Sequence, residues 1–129
     1  RVNYNPPIDG NDKMNYLNMH DVFLLPSFEE GDSIALKEAL ASYLPVIISK
    51  QCRLDIVEKY NAGIVIETTE DSLYEALIKL KHKDLISMGY QARKLIEEQY
   101  DNNYCSERLK LIYYDIFNGT QNSQDWVSD

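Results

Sequence analysis

Two glutamates, Glu30 and Glu38, lie on either side of a Gly31–Asp32 step in the stretch FEEGDSIALKEAL. An ionised carboxylate only accepts hydrogen bonds, often in pairs, which suits the hydroxyl groups of sugars. Between the two glutamates, near Ser33, a helix is predicted to begin. The first N–H groups of a helix have no intrahelical partner and carry roughly half a unit of positive charge, so they attract phosphate or pyrophosphate. The pattern fits a ligand with hydroxyl-bearing groups on both sides of a diphosphate.

The spacing places the two carboxylates on different parts of that helix head. Glu30 precedes the helix and can reach past a phosphate, while Glu38 lies roughly 7.5 Å along the axis and faces away from the core. A second interpretation needs no ligand. An acidic side chain near the start of a helix stabilises that helix by ~0.3–1 kcal/mol through its dipole. Glu38 can be an ordinary solvated surface residue. The spacing alone leaves both interpretations open.

Short apolar runs alternate with helical patterns along the chain. Strands are predicted at the opening of the chain, at Val22–Leu25, at Leu44–Ser49 and at Ala62–Glu67; helices are predicted at Ser33–Ser42, at Leu54–Tyr60, after a Thr68-x-x-Asp71 capping signal, at about Lys83–Tyr100 and at Tyr104–Phe117. Buried parallel strands consist of such apolar runs, and proline is tolerated at their ends. This alternation predicts an α/β fold, a parallel sheet with helices on both faces.

In such a sheet the ligand lies beyond the carboxyl ends of the strands, against the N-termini of helices. The strand Val22–Leu25 leads through the loop Pro26–Asp32 into the helix near Ser33. The backbone amides of Gly31, Asp32, Ser33 and Ile34 should therefore point outward at the ligand edge. This position favours the functional interpretation of the two glutamates.

Composition limits the classes of function. The chain has 129 residues, is 44% hydrophobic and 26% charged, and carries a net charge of −8. Those fractions are typical of a globular domain, and the negative charge argues against a nucleic-acid partner. Cys52 and Cys105 have no metal-binding spacing. We expect one incomplete domain over residues 1–117 and a polar tail over residues 118–129, in a chain that is part of a longer protein because it begins with Arg1.

The stretch DVFLLPSFEEGDSIALKEALASYLPVIIS resembles the donor-binding core of the family 4-type retaining glycosyltransferases, which have two Rossmann-like domains in the GT-B architecture. The matching positions are Asp21, Val22, Pro26, Ser27, Glu30, Gly31, Glu38, Ala39, Leu40, Ala41, Pro45 and Val46. CRLDIVEKYNAGIVIE, TTEDSLYEAL and ERLKLIYYDIF are similar to the units that follow in the family. The resemblance extends over most of Asp21–Phe117.

The resemblance implies a role for each site residue. Glu30 would contact the donor sugar at the reaction centre, Glu38 the ribose hydroxyls, and the amides of Gly31 to Ile34 the diphosphate. The implied reaction moves a sugar from a UDP- or GDP-sugar to an acceptor hydroxyl with retention, without a metal or other cofactor. The acceptor would be a sugar, a lipid-linked sugar or a polysaccharide. The implied location is the cytoplasm, with peripheral association of the full-length protein at the inner face of the membrane.

Three departures from the family pattern bear on the structure. Asp32 stands where the family has an aromatic or small residue, and we expect it to cap the helix. Tyr43 stands where the family tends to have glycine; if it is left-handed, tyrosine costs on the order of 1 kcal/mol. The family's earlier strand–helix section, with its Arg/Lys pair for the diphosphate, and the acceptor-binding domain are expected to lie outside this chain.

Two questions stay open at this level. Lys37, Lys50 and Arg53 are the cations nearest to the predicted phosphate site, and they can either support a phosphate or be ordinary surface charge. The whole chain can also be a non-enzymatic α/β module for regulation or interaction, which would keep the fold without donor chemistry. Binding of UDP or GDP separates that module from an enzyme.

Overall fold

A computed structural model describes residues 2–8 and 10–118 of the chain. The elements in chain order are α1 (Asn11–Leu17), β1 (Phe23–Leu25), α2 (Ile34–Ala41), β2 (Val46–Ser49), a 3₁₀ turn (Lys50–Cys52), α3 (Ile56–Lys59), β3 (Gly63–Ile66), α4 (Glu70–Leu80), α5 (Leu85–Gln99) and α6 (Asn102–Asn118). The predicted tail, residues 118–129, lies outside the described residues apart from Asn118, the last residue of α6.

The three strands form one parallel sheet in the order β1–β2–β3. Leu24 pairs with Ile47, and Ile47 pairs with Ile64 on the other side. The central strand β2 is buried along its whole length, as its unbroken apolar run predicts. The predicted parallel α/β sheet is confirmed.

Helices cover both faces of this sheet. On one face, alternate residues of β2 pack with α2, α3 and α5; this core contains Leu36, Leu40, Val46, Ile48, Val57 and Leu95. On the other face the core contains Ile47, Ile66, Ala76, Leu80 and Met88, from β2, β3, α4 and α5. Successive side chains of a strand point to opposite faces, so one strand supplies both cores. The predicted covering of both faces is confirmed.

The predicted strand at the opening of the chain is wrong. Residues 2–8 form neither helix nor strand, and the apolar side chains of Val2 and Tyr4 are exposed. A strand needs a neighbour for its backbone hydrogen bonds, and none of the three described strands pairs with this segment. The short helix α1 follows it and contacts α2, where the Nζ of Lys13 donates to Glu38.

The turn after α2 is left-handed at Tyr43, whose φ is 62°. Tyrosine in this left-handed conformation therefore costs on the order of 1 kcal/mol relative to glycine. The ring of Tyr43 meets that of Tyr90 edge-on, with 5.6 Å between centroids. The Cζ atom of Arg93 lies 5.8 Å from the Tyr43 ring. Such ring contacts are worth about 0.5–1.5 kcal/mol beyond burial, enough to offset the backbone cost.

Gly89 lets α5 approach this turn closely. A Cβ atom on Gly89 would lie 2.3 Å from the carbonyl oxygen of Tyr43. Because the clashing atom belongs to the backbone, it cannot move aside as a side chain can. Gly89 therefore fixes how near α5 lies to the end of α2.

The cap of α4 lies one residue later than its sequence signal. Thr69, not Thr68, is the N-cap, and its Oγ1 accepts from the N–H of Ser72 at 3.2 Å. Thr68 Oγ1 instead donates to Gln51 Oε1 at 2.9 Å. This bond joins the segments that follow β2 and β3 at the edge where a ligand is expected.

Candidate functional site

The loop between β1 and α2 is held at the carboxyl edge of the sheet by serine hydroxyls. Ser49, buried at the end of β2, donates from Oγ to the carbonyl oxygen of Ser27 at 2.6 Å. Ser27 Oγ donates in turn to the carbonyl of Glu29 at 2.7 Å. Because parallel strands end at the same edge, these bonds fix where the chain enters α2.

Ser33 is the N-cap of α2. Its backbone is extended (φ −67°, ψ 109°), and its Oγ accepts from the N–H of Leu36 at 3.4 Å. The expectation that Asp32 caps this helix is wrong, because Ser33 already occupies the cap position. The carboxylate of Asp32 forms an ion pair with the ammonium of Lys37 instead.

The head of α2 presents backbone donors that have no acceptor among the described residues. No described residue accepts a hydrogen bond from the N–H groups of Gly31, Asp32, Ser33, Ile34 or Ala35. A Cβ atom on Gly31 would have nothing within 4 Å. Protein packing therefore does not require glycine at this position, and the space where a Cβ would lie is open.

A cavity of about 130 Å³ lies beside this helix head. Its walls include Gly31, Asp32, Ser33, Lys37, Arg53 and Tyr100. The Nζ of Lys37 lies 4.7 Å from the centre of the Tyr100 ring. Partial burial raises the pKa of the Tyr100 phenol, while the charge of Lys37 acts in the opposite direction. The cavity thus combines backbone donors, one carboxylate and two cations.

Glu30 and Glu38 do not line this cavity. Glu30 is half-buried and has no ion-pair partner among the described residues. Glu38 lies on the side of α2 nearer α1, where its Oε1 accepts from Lys13 Nζ at 2.7 Å. Ile34, one turn before Glu38 on the same face, is 71% exposed. The structure therefore groups Gly31, Asp32 and Ser33 around one cavity and places Glu38 and Ile34 on the neighbouring face.

Three ion pairs lie at or near the site: Lys37 with Asp32, Lys50 with Glu67, and Lys13 with Glu38. Lys37 and Lys50 are thus paired, and a role of either cation toward a phosphate stays a prediction. The hydrogen bond and charge of Glu67 raise the pKa of Lys50. Sequence reasoning missed Lys13, which lies far from Glu38 along the chain and carries no local signal.

The sequence and the fold of this chain are similar to those of known proteins. Residues 1–101 match the family described as glycosyl transferases group 1. The chain belongs to this family. One relative, UDP-Gal:alpha-D-GlcNAc-diphosphoundecaprenol alpha-1,3-galactosyltransferase of Escherichia coli, is 30% identical over an alignment of 112 residues that covers 82% of this chain and 28% of that protein.

A second relative is N-acetyl-alpha-D-glucosaminyl L-malate synthase of Bacillus anthracis, 28% identical over 84% of this chain and 29% of that protein. The chain spans less than a third of the length of these curated relatives. Sucrose-phosphate synthase from Thermosynechococcus elongatus superposes with a TM-score of 0.66 at 19% identity, over 81% of this chain and 27% of that one. This likeness shows the fold, and it confirms the predicted GT-B type of Rossmann-like domain.

None of the helices described has the length and apolar character needed to cross a membrane. Within the described residues, no group of three or more His, Cys, Asp or Glu side chains is arranged to hold a metal ion.

Proposed function

We propose that the full-length protein transfers a sugar from a UDP- or GDP-sugar to an acceptor hydroxyl with retention, and that this chain supplies the donor-binding part. The observation that carries the proposal is the head of α2, where five consecutive N–H groups lack a described acceptor beside an open Gly31. Preorganised donors of this kind stabilise the charge that builds on a departing diphosphate.

The site residues take the following roles in this proposal. The amides of Gly31 to Ile34 bind the diphosphate, and Glu30 contacts the donor sugar at the reaction centre. Glu38 accepts from the ribose hydroxyls. Only Oε1 of Glu38 is engaged by Lys13 among the described residues, so Oε2 is left to accept from the ligand.

Asp32 and Lys37 act as a unit in the binding of the diphosphate. An acid about 6.5 Å from a diphosphate opposes it by about 2–3 kcal/mol at an effective dielectric constant of 20. Lys37, paired with Asp32 and lining the same cavity, supplies a compensating positive charge. The donor is therefore bound mainly by amides, with the two side chains close to electrical balance.

The acceptor is proposed more broadly. The names of the curated relatives mention a diphosphoundecaprenol-linked sugar and L-malate. We assign the acceptor of this protein to a sugar, lipid-linked sugar or polysaccharide, in the synthesis of a surface polysaccharide, bound by parts of the enzyme outside this chain. The proposed location is the cytoplasm, with peripheral contact at the inner face of the membrane, and no metal or cofactor takes part.

A thermal-shift experiment tests the donor site in the full-length protein. UDP or GDP at about one hundred times its Kd should stabilise the protein by about 2.7 kcal/mol and raise its Tm accordingly. Glu38→Ala should remove most of that shift. Glu97→Ala is the matched control, because Glu97 also accepts from a cation at 2.7 Å but lies on α5, away from the loop.

Two results would speak against this function. No shift with any nucleotide in a panel that includes UDP and GDP would favour the non-enzymatic module. An equal loss of the shift in Glu38→Ala and Glu97→Ala would remove Glu38 from the binding site while leaving nucleotide binding itself in place.

A further inference from the structure

A second and larger cavity, of about 420 Å³, lies between the start of α3 and the helices α5 and α6. Three cations line it: Arg53 after the 3₁₀ turn, Lys59 at the end of α3, and Arg108 on α6. Asp55 is the one carboxylate among its lining residues. Arg53 and Tyr100 also line the cavity at the head of α2, so the two cavities adjoin.

These three cations differ from most others in the described part of the chain in having no ion pair. Six lysine and arginine side chains are paired with a carboxylate: Lys13, Lys37, Lys50, Arg93, Lys94 and Lys110. No described residue forms an ion pair with Arg53, Lys59 or Arg108. In a chain with a net charge of −8, three such cations around one cavity form a local positive site.

The walls of this cavity suit an organic anion. Leu54, Ile56 and Tyr100 are half-buried and give it an apolar floor. Gln99 donates from Nε2 to the hydroxyl of Tyr60 at 3.0 Å, which leaves its Oε1 as an acceptor. Asp55 heads α3 without a side-chain capping bond, so its carboxylate can accept from a ligand hydroxyl.

Arg53 adopts a left-handed backbone conformation, with φ 51°. Its N–H donates to the carbonyl of Lys50 at 3.0 Å, so the strained residue closes the 3₁₀ turn. Strain of this kind at a non-glycine residue persists only where the surrounding structure imposes it, and it is frequent at ligand sites. Arg53 lines both cavities.

The cavity at the other end of α3 shows the contrast. Lys59, Lys83 and Lys94 line it together with Asp84 and Glu98. In that cavity Lys94 pairs with Glu98 at 3.7 Å, and the Asp84 carboxylate caps α5. Acids and cations are close to balance, and we assign no ligand to that cavity.

We propose that the cavity between α3 and α6 binds a phosphate group on a hydroxyl-bearing small molecule, as a second anion site beside the donor site. Two guanidinium groups match the geometry of phosphate oxygens, and Lys59 adds a point charge. The hydroxyl groups of the ligand meet Asp55 and Gln99. The site is distinct from the proposed donor site, because Arg108 and Lys59 do not line the cavity at α2, although Arg53 lines both cavities.

The test is a calorimetric titration of the full-length protein with inorganic phosphate and with glycerol 3-phosphate. The test variant is Lys59→Gln with Arg108→Gln. The control variant is Lys79→Gln with Lys81→Gln, two exposed cations of α4 and its C-cap that also lack a described ion-pair partner. Loss of a charge-assisted hydrogen bond should weaken glycerol 3-phosphate at least about tenfold in the test variant. Glycerol 3-phosphate should bind more tightly than inorganic phosphate, and added salt should weaken both.

A separate arm identifies the source of the phosphate group. Binding to phosphatidylcholine vesicles that contain phosphatidic acid, lost in the test variant and absent with phosphatidylcholine alone, would assign the site to a lipid phosphate. Equal affinities of the test and control variants, or no saturable phosphate binding in either arm, would overturn the proposal. Saturating UDP or GDP separates the two sites, because phosphate binding between α3 and α6 should persist when the head of α2 is filled.

Discussion

If Asp32 capped α2, its replacement would cost stability. Because Asp32 forms an ion pair with Lys37 instead, its replacement should mainly change nucleotide affinity. Replacement of Asp32 by asparagine removes a negative charge beside the proposed diphosphate and keeps the shape of the side chain. Because Ser33 holds the cap, the helix keeps its N-terminal hydrogen bond. Asp32→Asn should therefore bind UDP and GDP more tightly and lose little stability.

The magnitude follows from the exposure of the carboxylate. At about 6.5 Å, one charge opposes another by about 2.5 kcal/mol at a dielectric constant of 20 and by about 0.6 kcal/mol in bulk water. The side chain of Asp32 is 80% exposed, so the lower value is the better guide. We expect nucleotide affinity to rise between about threefold and tenfold. Loss of the exposed ion pair should cost at most about 1 kcal/mol of stability.

Calorimetric titration of the full-length protein with UDP and GDP, together with Tm measurements, tests both parts. Ser33→Ala is the control for stability, because it removes the cap and should cost about 1 kcal/mol. The gain in affinity of Asp32→Asn should shrink as salt is added. If this variant binds nucleotide no more tightly than wild type, or is destabilised more than Ser33→Ala, the assignment of Asp32 fails.

Three further predictions concern the elements around the site. Gly89→Ala should lower the free energy of unfolding by about 1–3 kcal/mol, because its Cβ meets the Tyr43 carbonyl oxygen at 2.3 Å; an unchanged chemical denaturation midpoint would contradict this. Gly31→Ala should change the free energy of unfolding by no more than about 0.5 kcal/mol, since the added Cβ meets nothing. The same variant should bind UDP or GDP measurably more weakly in the calorimetric titration. Lys13→Met should weaken nucleotide binding by less than Glu38→Ala does, because it only frees the carboxylate to rotate; equal losses would place Lys13 in direct contact with the ligand.

Local patterns in the sequence predict the sheet well. The run Val46–Ser49 is buried at every position. A fully buried strand between two helices fits a parallel sheet that is covered on both faces. The motif around Glu30 and Gly31 likewise predicts a loop at the carboxyl edge, because a parallel strand followed by a helix can place it nowhere else. The roles of these residues toward a donor remain predictions.

Side-chain partners could not be predicted in the same way. Lys13 reaches Glu38 from a helix with no strong pattern, and the Tyr100 ring comes to Lys37 from the end of α5. These contacts depend on how helices pack, which local spacing does not specify. The cap of α2 shows the same limit at close range, because Asp32 and Ser33 are both good caps and only the backbone conformation selects between them.

An acidic chain that binds a diphosphate requires a particular distribution of charge, and the described residues contain one. The N–H groups at the head of α2 supply positive potential without any basic side chain, and this potential is fixed by the backbone. Asp32, the acid nearest to that head, is paired with a cation of the same helix, so its repulsion is reduced where the ligand would bind. Arg53 and Arg108, without described ion pairs, line the adjoining cavity, and Arg53 also lines the cavity at the head of α2. The net charge of −8 therefore does not exclude an anionic ligand at this edge of the sheet, where amides and two guanidinium groups without described partners lie.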